Sequence, residues 1–199
     1  GAGIADEVSA LLPNNTISLG VTTDGANVYA PFTIQRAGNG ITRWGVIHPH
    51  NNDAVQRLNA ALPVDILQCQ HVDNIHSIVL DKLCVSAVLN PLTAIYNVPN
   101  GEILSHPSTQ PLITPLCKEV ALALNSPTYS TDSQIIEQAV IDVAQSTALN
   151  ISSMLQDVRA DRNTEIDFIN GYIQDIADIK GISLAINSLL ISQVKQATR

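Results

Sequence analysis

Between Ser152 and Tyr172 the chain reads Ser-Ser-Met-Leu-Gln-Asp-Val-Arg-Ala-Asp-Arg-Asn-Thr-Glu-Ile-Asp-Phe-Ile-Asn-Gly-Tyr. Hydroxyl, carboxylate, guanidinium and amide groups are set here among apolar residues in a pattern that a plain core would avoid. A second stretch, Lys82 to Gly101, has the same character. Lys82, Ser86 and Asn90 fall at i, i+4 and i+8, so on a helix they share one face, with Leu83, Val85, Val88 and Leu89 covering the others. Burying an ammonium or an amide costs several kcal/mol unless each finds a partner, so such a stripe points to a site. The plainer alternative is a lysine snorkelling to the surface. Asn150, Ser153 and Asp157 stand at i, i+3 and i+7 and share a face if one helix covers them. Within a helix, Ser and Asn also commonly just bond backbone carbonyls or face water. Glu165 falls in the first turn of the next helix, where the dipole favours a carboxylate whether or not it does chemistry. Asn90 before a proline and Asn100 before a glycine are equally ordinary turn residues.

The elements that must carry these residues divide into a β-rich first part and a helical remainder. Residues 16–22 read as a short strand, and 27–36 and 41–47 as two more flanking Ala-Gly-Asn-Gly, a good hairpin turn. A helix over 53–62 ends at Pro63, and 64–69 reads as a further strand. A helix over 75–89 is expected to break at Pro91, because the residue before proline disfavours the α conformation. Then follow a helix over 110–124, one long helix over 133–158 behind the capping residues Thr131 and Asp132, and a helix over 164–179. The last of these buries Ile166, Ile169, Ile173 and Ile176 and stops at Gly181. A final helix covers 184–198. The change of character puts a boundary near residue 72.

Length and composition narrow the classes. At 199 residues with 45% apolar content, the chain can bury a substantial core. A net charge of −8 with only ten scattered Lys and Arg argues against nucleic-acid binding. No uninterrupted apolar run reaches the ~18 residues that would span a bilayer, so no membrane insertion is expected. Gly1 to Glu7 lacks the basic and apolar regions of a signal peptide, and the missing initiator methionine hints at a processed or truncated product. Cys69, Cys84 and Cys117 are odd in number and widely spaced, which suits reduced thiols in a cytoplasm. The five histidines show no ligand spacing, and the carboxylates Asp157, Asp161 and Glu165 read as an arginine-paired stripe, so no metal is expected.

Taken in order, Lys82-Leu83, Asn90-Pro91-Leu92-Thr93-Ala94-Ile95, Asn100-Gly101-Glu102, Ser152 to Asp157, Arg162, Thr164-Glu165-Ile166-Asp167 and Ile169-Asn170-Gly171 resemble the C-terminal half of the ketopantoate reductase (2-dehydropantoate 2-reductase) family. The resemblance implies an α+β chain. Residues 1–71 would be trailing strands of a Rossmann-type NADP-binding domain, and 72–199 an all-helical, 6-phosphogluconate-dehydrogenase-like domain for substrate binding and dimerisation. It also implies that the Gly-rich nucleotide-binding turn belongs to a segment ahead of residue 1. Gly1-Ala2-Gly3-Ile4-Ala5-Asp6 is not that turn, since Asp6 stands where the third glycine is needed; by resemblance it is a later loop over the nicotinamide end.

By resemblance, Lys82 is the proton donor and Glu165 pairs with it and reaches the cofactor. Ser153 binds the substrate carboxylate, Asn90 and Asn100 are substrate-binding amides, and Asn150 lines the pocket. Ala26, at the end of the 20–26 strand and turn, contacts NADPH. Ser86 departs from the family, which usually has asparagine there, and the shorter hydroxyl bears on substrate choice. The implied activity is NADPH-dependent reduction of ketopantoate, a small 2-keto acid, to (R)-pantoate. A cytoplasmic homodimer is expected on other grounds, the reduced thiols and a surplus of apolar positions. These 199 residues alone are expected to be inactive. The alternatives are a non-catalytic, self-associating helical fragment, or a reductase of another 2-keto acid. Surplus apolar positions at Ile135, Ile136, Leu189, Leu190 and Ile191 favour self-association.

Overall fold

Proline 91 sits inside the longest helix of the protein, which runs unbroken from Ile75 to Tyr96. The computed structural model describes residues 3–38, 40–48, 52–62 and 68–198. Their helices and strands make an α+β chain that divides into two compact units, Gly3–Val79 and a second from Leu80 onward.

In the first unit, α1 (Ile4–Leu11) precedes β1 (Ile17–Thr22), β2 (Gly25–Ala30), β3 (Thr33–Gly38) and β4 (Thr42–His48). Then come α2 (Asn52–Ala61) and β5 (Cys69–His71). Helix α1 occupies residues 4–11, where a loop was expected to begin. The expected single strand over 27–36 is instead split into the hairpin β2–β3, with Ala30 opposite Thr33. Pro31 brings a fixed φ and no N–H, and Phe32 takes a φ of 61°, the combination of a type II turn. Consequently β4 does not pair with that segment. It pairs antiparallel with β1, Thr42 opposite Thr22, and parallel with β5, in the order β1-β4-β5. Trp44, Ile17, Cys69 and Ile75 are buried on this sheet, with Trp44 edge-on to His71 at 4.7 Å. Of the strand expected over 64–69, residues 64–67 fall outside the described residues, and Gln68, at a φ of 45°, stands ahead of β5.

The second unit is helical. It holds most of α3 (Ile75–Tyr96), a 3-10 turn (Asn100–Leu104), α4 (Gln110–Leu124), α5 (Ser133–Ser146), α6 (Ser153–Arg159), a π-helix (Asp167–Gly171), α7 (Tyr172–Ile179) and α8 (Ala185–Ala197). Helix α4 packs on α5, α7 and α8. Leu92, Ile103, Leu116, Ile136, Leu155, Ile173, Leu184 and Leu190 are fully buried, each contributing about 1.5–3 kcal/mol by leaving water. Helix α5 begins where expected, Asp132 accepting from the Gln134 and Ile135 amides. Gly181 ends the α7 segment at a φ of 67°, with Ile182 N donating to Ala177 O, a Schellman closure.

Two expectations fail here for stated reasons. Helix α3 survives Pro91 because the Ala87 carbonyl, left without its usual donor, accepts from Asn170 Nδ2 at 2.9 Å. The long helix over 133–158 is two helices: α5 closes at Thr147, and α6 starts afresh behind Ser152, whose hydroxyl caps the Leu155 amide. Helix α3 is also long and apolar enough to cross a bilayer, at a mean hydropathy of 1.6, although no uninterrupted apolar run is. More than half of that window is buried inside the protein, as befits a core helix. Cys69, Cys84 and Cys117 are free and buried.

Candidate active site

Because α3 is continuous, Lys82, Ser86 and Asn90 do form one stripe along it. Lys82 is exposed, Ser86 and Asn90 are half-buried, and Leu83, Val88 and Leu89 are buried on the other side. The polar positions therefore look out of the core and the apolar ones into it.

Asn90 is anchored from behind. Thr93 Oγ1 donates to Asn90 O at 2.8 Å and lies 2.6 Å from Ser152 Oγ. Since the threonine proton is committed to the carbonyl, Ser152 donates to Thr93, while Ser152 Oγ also accepts from Leu155 N at 3.1 Å. Both hydroxyls are buried. One relay thus joins the stripe on α3 to the N-terminus of α6, where Ser153 is exposed in the first turn. Neither Thr93 nor Ser152 stood out as a site residue in the sequence. Their signal was a hydroxyl within each motif at a spacing that only the fold could bring together.

A second tie places Asn100. Its backbone N donates to Asn150 O at 2.9 Å, and Gly101 N to Ala148 O at 3.0 Å. A Cβ on Gly101 would stand 2.7 Å from Ala148 Cβ and 2.9 Å from its Cα, so the approach requires glycine. Asn100 Nδ2 donates to Thr147 Oγ1 at 2.9 Å. Asn100 is 7% exposed, and its Oδ1 is buried with no hydrogen-bond partner among the described residues. Asn150 lies in the loop before α6, not on a helix face with Ser153 and Asp157 as the sequence suggested. The Asn100 and Gly101 amides pair with two carbonyls of that loop and hold it in place.

Asp157 Oδ1 accepts from Arg162 Nη2 at 2.8 Å and Nε at 3.0 Å, and Arg162 N donates to Asp157 O. This folds the 160–164 segment back before Glu165. Glu165 is exposed and one step outside the helix, accepting the Phe168 and Ile169 amides on its own carbonyl. It stands just ahead of the first helical residue, Ile166, and the π-helix begins at Asp167. Among the described residues no group of three or more His, Cys, Asp or Glu side chains is placed to hold a metal ion. In the first unit, Ala26 lies on β2 opposite Arg36 and is exposed.

Beside the stripe, Tyr129 donates to Asp81 Oδ1 at 2.8 Å, and its hydroxyl lies 3.6 Å from Cys84 Sγ. Burial pushes the Cys84 thiol up to about 11 and the Cys117 thiol up to about 12. It also raises the Tyr129 phenol, helped by its bonds to Cys84 and Asp81. These three groups are neutral near pH 7 and form a buried wall rather than a nucleophilic centre.

Known proteins bear on this arrangement. The 2-dehydropantoate 2-reductase of Shigella flexneri is 37% identical over 201 residues, covering 98% of this chain and 62% of the relative. That of Archaeoglobus fulgidus is 32% identical over 176 residues, covering 88% and 59%. The chain thus spans about three fifths of the length of these curated relatives. Among solved structures, D-mandelate dehydrogenase with NADH and anilino(oxo)acetate superposes with a TM-score of 0.87 at 23% identity, covering 98% of this chain and 64% of that one. A PanE/ApbA family ketopantoate reductase from Ralstonia eutropha JMP134 gives 0.81 at 22%, covering 100% and 64%. At such identities these two speak to the fold. The profile described as "Ketopantoate reductase PanE/ApbA C terminal" matches residues 74–198, the span that holds the stripe on α3, both ties and Glu165. This chain belongs to that family, as its C-terminal portion.

Proposed function

We propose that these residues form the substrate-binding, proton-donating part of an NADPH-dependent 2-dehydropantoate 2-reductase, serving pantothenate and coenzyme A synthesis in the cytoplasm. The observation that carries this reading is the Lys82–Ser86–Asn90 stripe, hydrogen-bonded through Thr93 and Ser152 to the start of α6. NADPH, when bound, supplies the hydride. The resemblance assigns cofactor contacts to Ala26 and Glu165, each exposed in its own unit, and no G-x-G-x-x-G turn occurs in the 199 residues.

The rest follows from this chain's own groups. Ser153 in the first turn of α6 receives the substrate carboxylate, Asn150 lines the pocket beside it, and Asn90 and Asn100 orient the substrate's polar groups. Reduction builds negative charge on the ketone oxygen, and Lys82 Nζ gives it a proton. Glu165 pairs with the Lys82 ammonium and orients it toward the ketone oxygen. Water returns the proton to Lys82 after product leaves. Ser86 reaches less far than an asparagine and leaves room for another 2-keto acid.

In a protein carrying both halves, Lys82→Ala lowers kcat by about 100-fold or more, the scale of general-acid catalysis; an unchanged kcat removes Lys82 as proton donor. Ser86→Asn lowers KM for ketopantoate about fivefold at constant kcat, as one added hydrogen bond would. A raised KM points to a different keto acid. The 199-residue chain alone binds NADPH weakly and is inactive, and titration calorimetry giving a micromolar constant contradicts that.

A further inference from the structure

A proline inside a helix has no N–H for the carbonyl four residues back. For Pro91 that carbonyl is Ala87 O, which lies one residue beyond Ser86 and three before Asn90 on the stripe of α3. It accepts from Asn170 Nδ2 at 2.9 Å, and the same nitrogen donates to Asn187 Oδ1 at 2.9 Å. Both amide protons of Asn170 are therefore used. Asn187 Nδ2 returns a bond to Asn170 O at 3.1 Å and reaches Gln174 Oε1 at 3.2 Å. Glu119 holds Asn187 from the other side, accepting its backbone N at 2.8 Å.

Asn170 is 0% exposed, and its Oδ1 is buried with no partner among the described residues. A buried amide with an unsatisfied oxygen is costly, and an apolar residue of similar size would pack without that cost. What the amide gives in return is a donor for Ala87. With an ordinary residue at position 91, Ala87 O would be satisfied inside α3, and no bond to another element would be needed. Proline transfers that bond to Asn170, which lies in the π-helix that begins two residues after Glu165. The hydrogen bond then links the helix of Lys82, Ser86 and Asn90 to the helical segment that Glu165 precedes. π-Turns of this kind recur at functional sites.

We propose that Asn170 is a positioning residue of the reaction: by donating to the carbonyl that Pro91 frees, it fixes the rotation and spacing of the Ser86–Asn90 turn relative to the Glu165 helix. The proposal rests on the reading of the site given above. Asn170 touches neither substrate nor cofactor in it.

A double-mutant cycle of Asn170→Ala and Pro91→Ala tests this, with two readouts. The first is urea unfolding of the 199-residue chain, which needs no activity. Asn170→Ala alone leaves Ala87 O bare, whereas with Pro91→Ala a backbone N–H replaces the lost donor, and the Asn187 contacts cancel around the cycle. The unfolding constant should rise about tenfold more for Asn170→Ala in the proline background than in the Pro91→Ala background. Equal effects in both would mean that Asn170 does not serve Ala87, and would overturn the proposal. The second readout is kinetics in the intact reductase. Asn170→Ala should lower kcat/KM for the keto acid by roughly 10- to 100-fold, the scale of small misplacements, with the NADPH KM within about twofold. Adding Pro91→Ala should recover the share of stability lost at Ala87 O but not kcat, because the bond between the two helices stays broken. Recovery of both would reduce Asn170 to a structural role and overturn the proposal. Wild-type enzyme inactive on every 2-keto acid tried would instead sink the functional reading, and the positioning role with it, while the unfolding cycle would still report the bond itself.

Discussion

Cys84 and Cys117 show how burial sets the chemistry of single groups here. Cys84 is 2% exposed, and its thiol is raised from 9.0 to about 11, first by burial and further by the Asp81 charge, against the opposing bond from Tyr129. Cys117 is raised to about 12, first by burial and then by Glu137 and Cys84. A raised thiol pKa means that below about pH 9 both folded and unfolded chains hold the proton and stability is constant. Above it only the unfolded chain ionises, so stability falls as pH rises from about 9 towards 11 and 12. Urea unfolding at pH 8 and pH 10 should differ by on the order of 2 kcal/mol, with the higher pH less stable. Replacing both thiols by alanine should flatten that slope. An unchanged slope would assign the loss to other groups. Both thiols should also resist alkylation at pH 8 in the folded protein.

At the scale of elements, the site depends on short irregular joints between helices. The 147–152 loop is pinned by Asn100 N and Gly101 N, which donate to Asn150 O and Ala148 O. Gly101→Ala sets a Cβ against Ala148, so it should destabilise by about 1–3 kcal/mol, the usual cost of overpacking. Ala148→Gly in the same chain should restore most of the loss, read from denaturant midpoints. No restoration would place the strain in the Gly101 backbone instead. These joints were partly legible. Asp132 marked the start of α5 and Gly181 the end of α7, because a cap acts on its own neighbours. The break between α5 and α6 was hidden, since the donors that pin it come from Asn100 and Gly101, far off in sequence. The survival of α3 through Pro91 was hidden for the same reason: the rescuing amide is Asn170.

For the whole molecule, the question is what covers the remaining apolar surface. Of the positions that pointed to self-association, Ile136 and Leu190 are buried at 2% and 1%, and Ile191 is half-buried. Ile135 and Leu189 do remain exposed, at 62% and 53%, as do Leu122 and Ile179. Scattered exposed apolar residues are normal on any surface, whereas a joined patch marks an interface. A homodimer, the commonest closed assembly, is the expected state. Light scattering at micromolar concentration should give twice the chain mass; a clean single-chain mass would mean that these residues need no partner.

By itself the sequence determined the fold class, the family and most helix positions, because periodicity, caps and motif order are properties of neighbours along the chain. It also determined that Lys82, Ser86 and Asn90 share a face, which needs only 3.6 residues per turn. Tertiary structure decided the rest. It decided that β4 pairs with β1 and not with the preceding strand, that Ile136 and Leu190 are core rather than interface, and that Thr93, Ser152 and Asn170 stand behind the proposed site. Each of these turns on a hydrogen bond or a packed contact between residues far apart in the chain. A buried donor or carbonyl must be satisfied, but where its partner comes from is settled only when the elements meet.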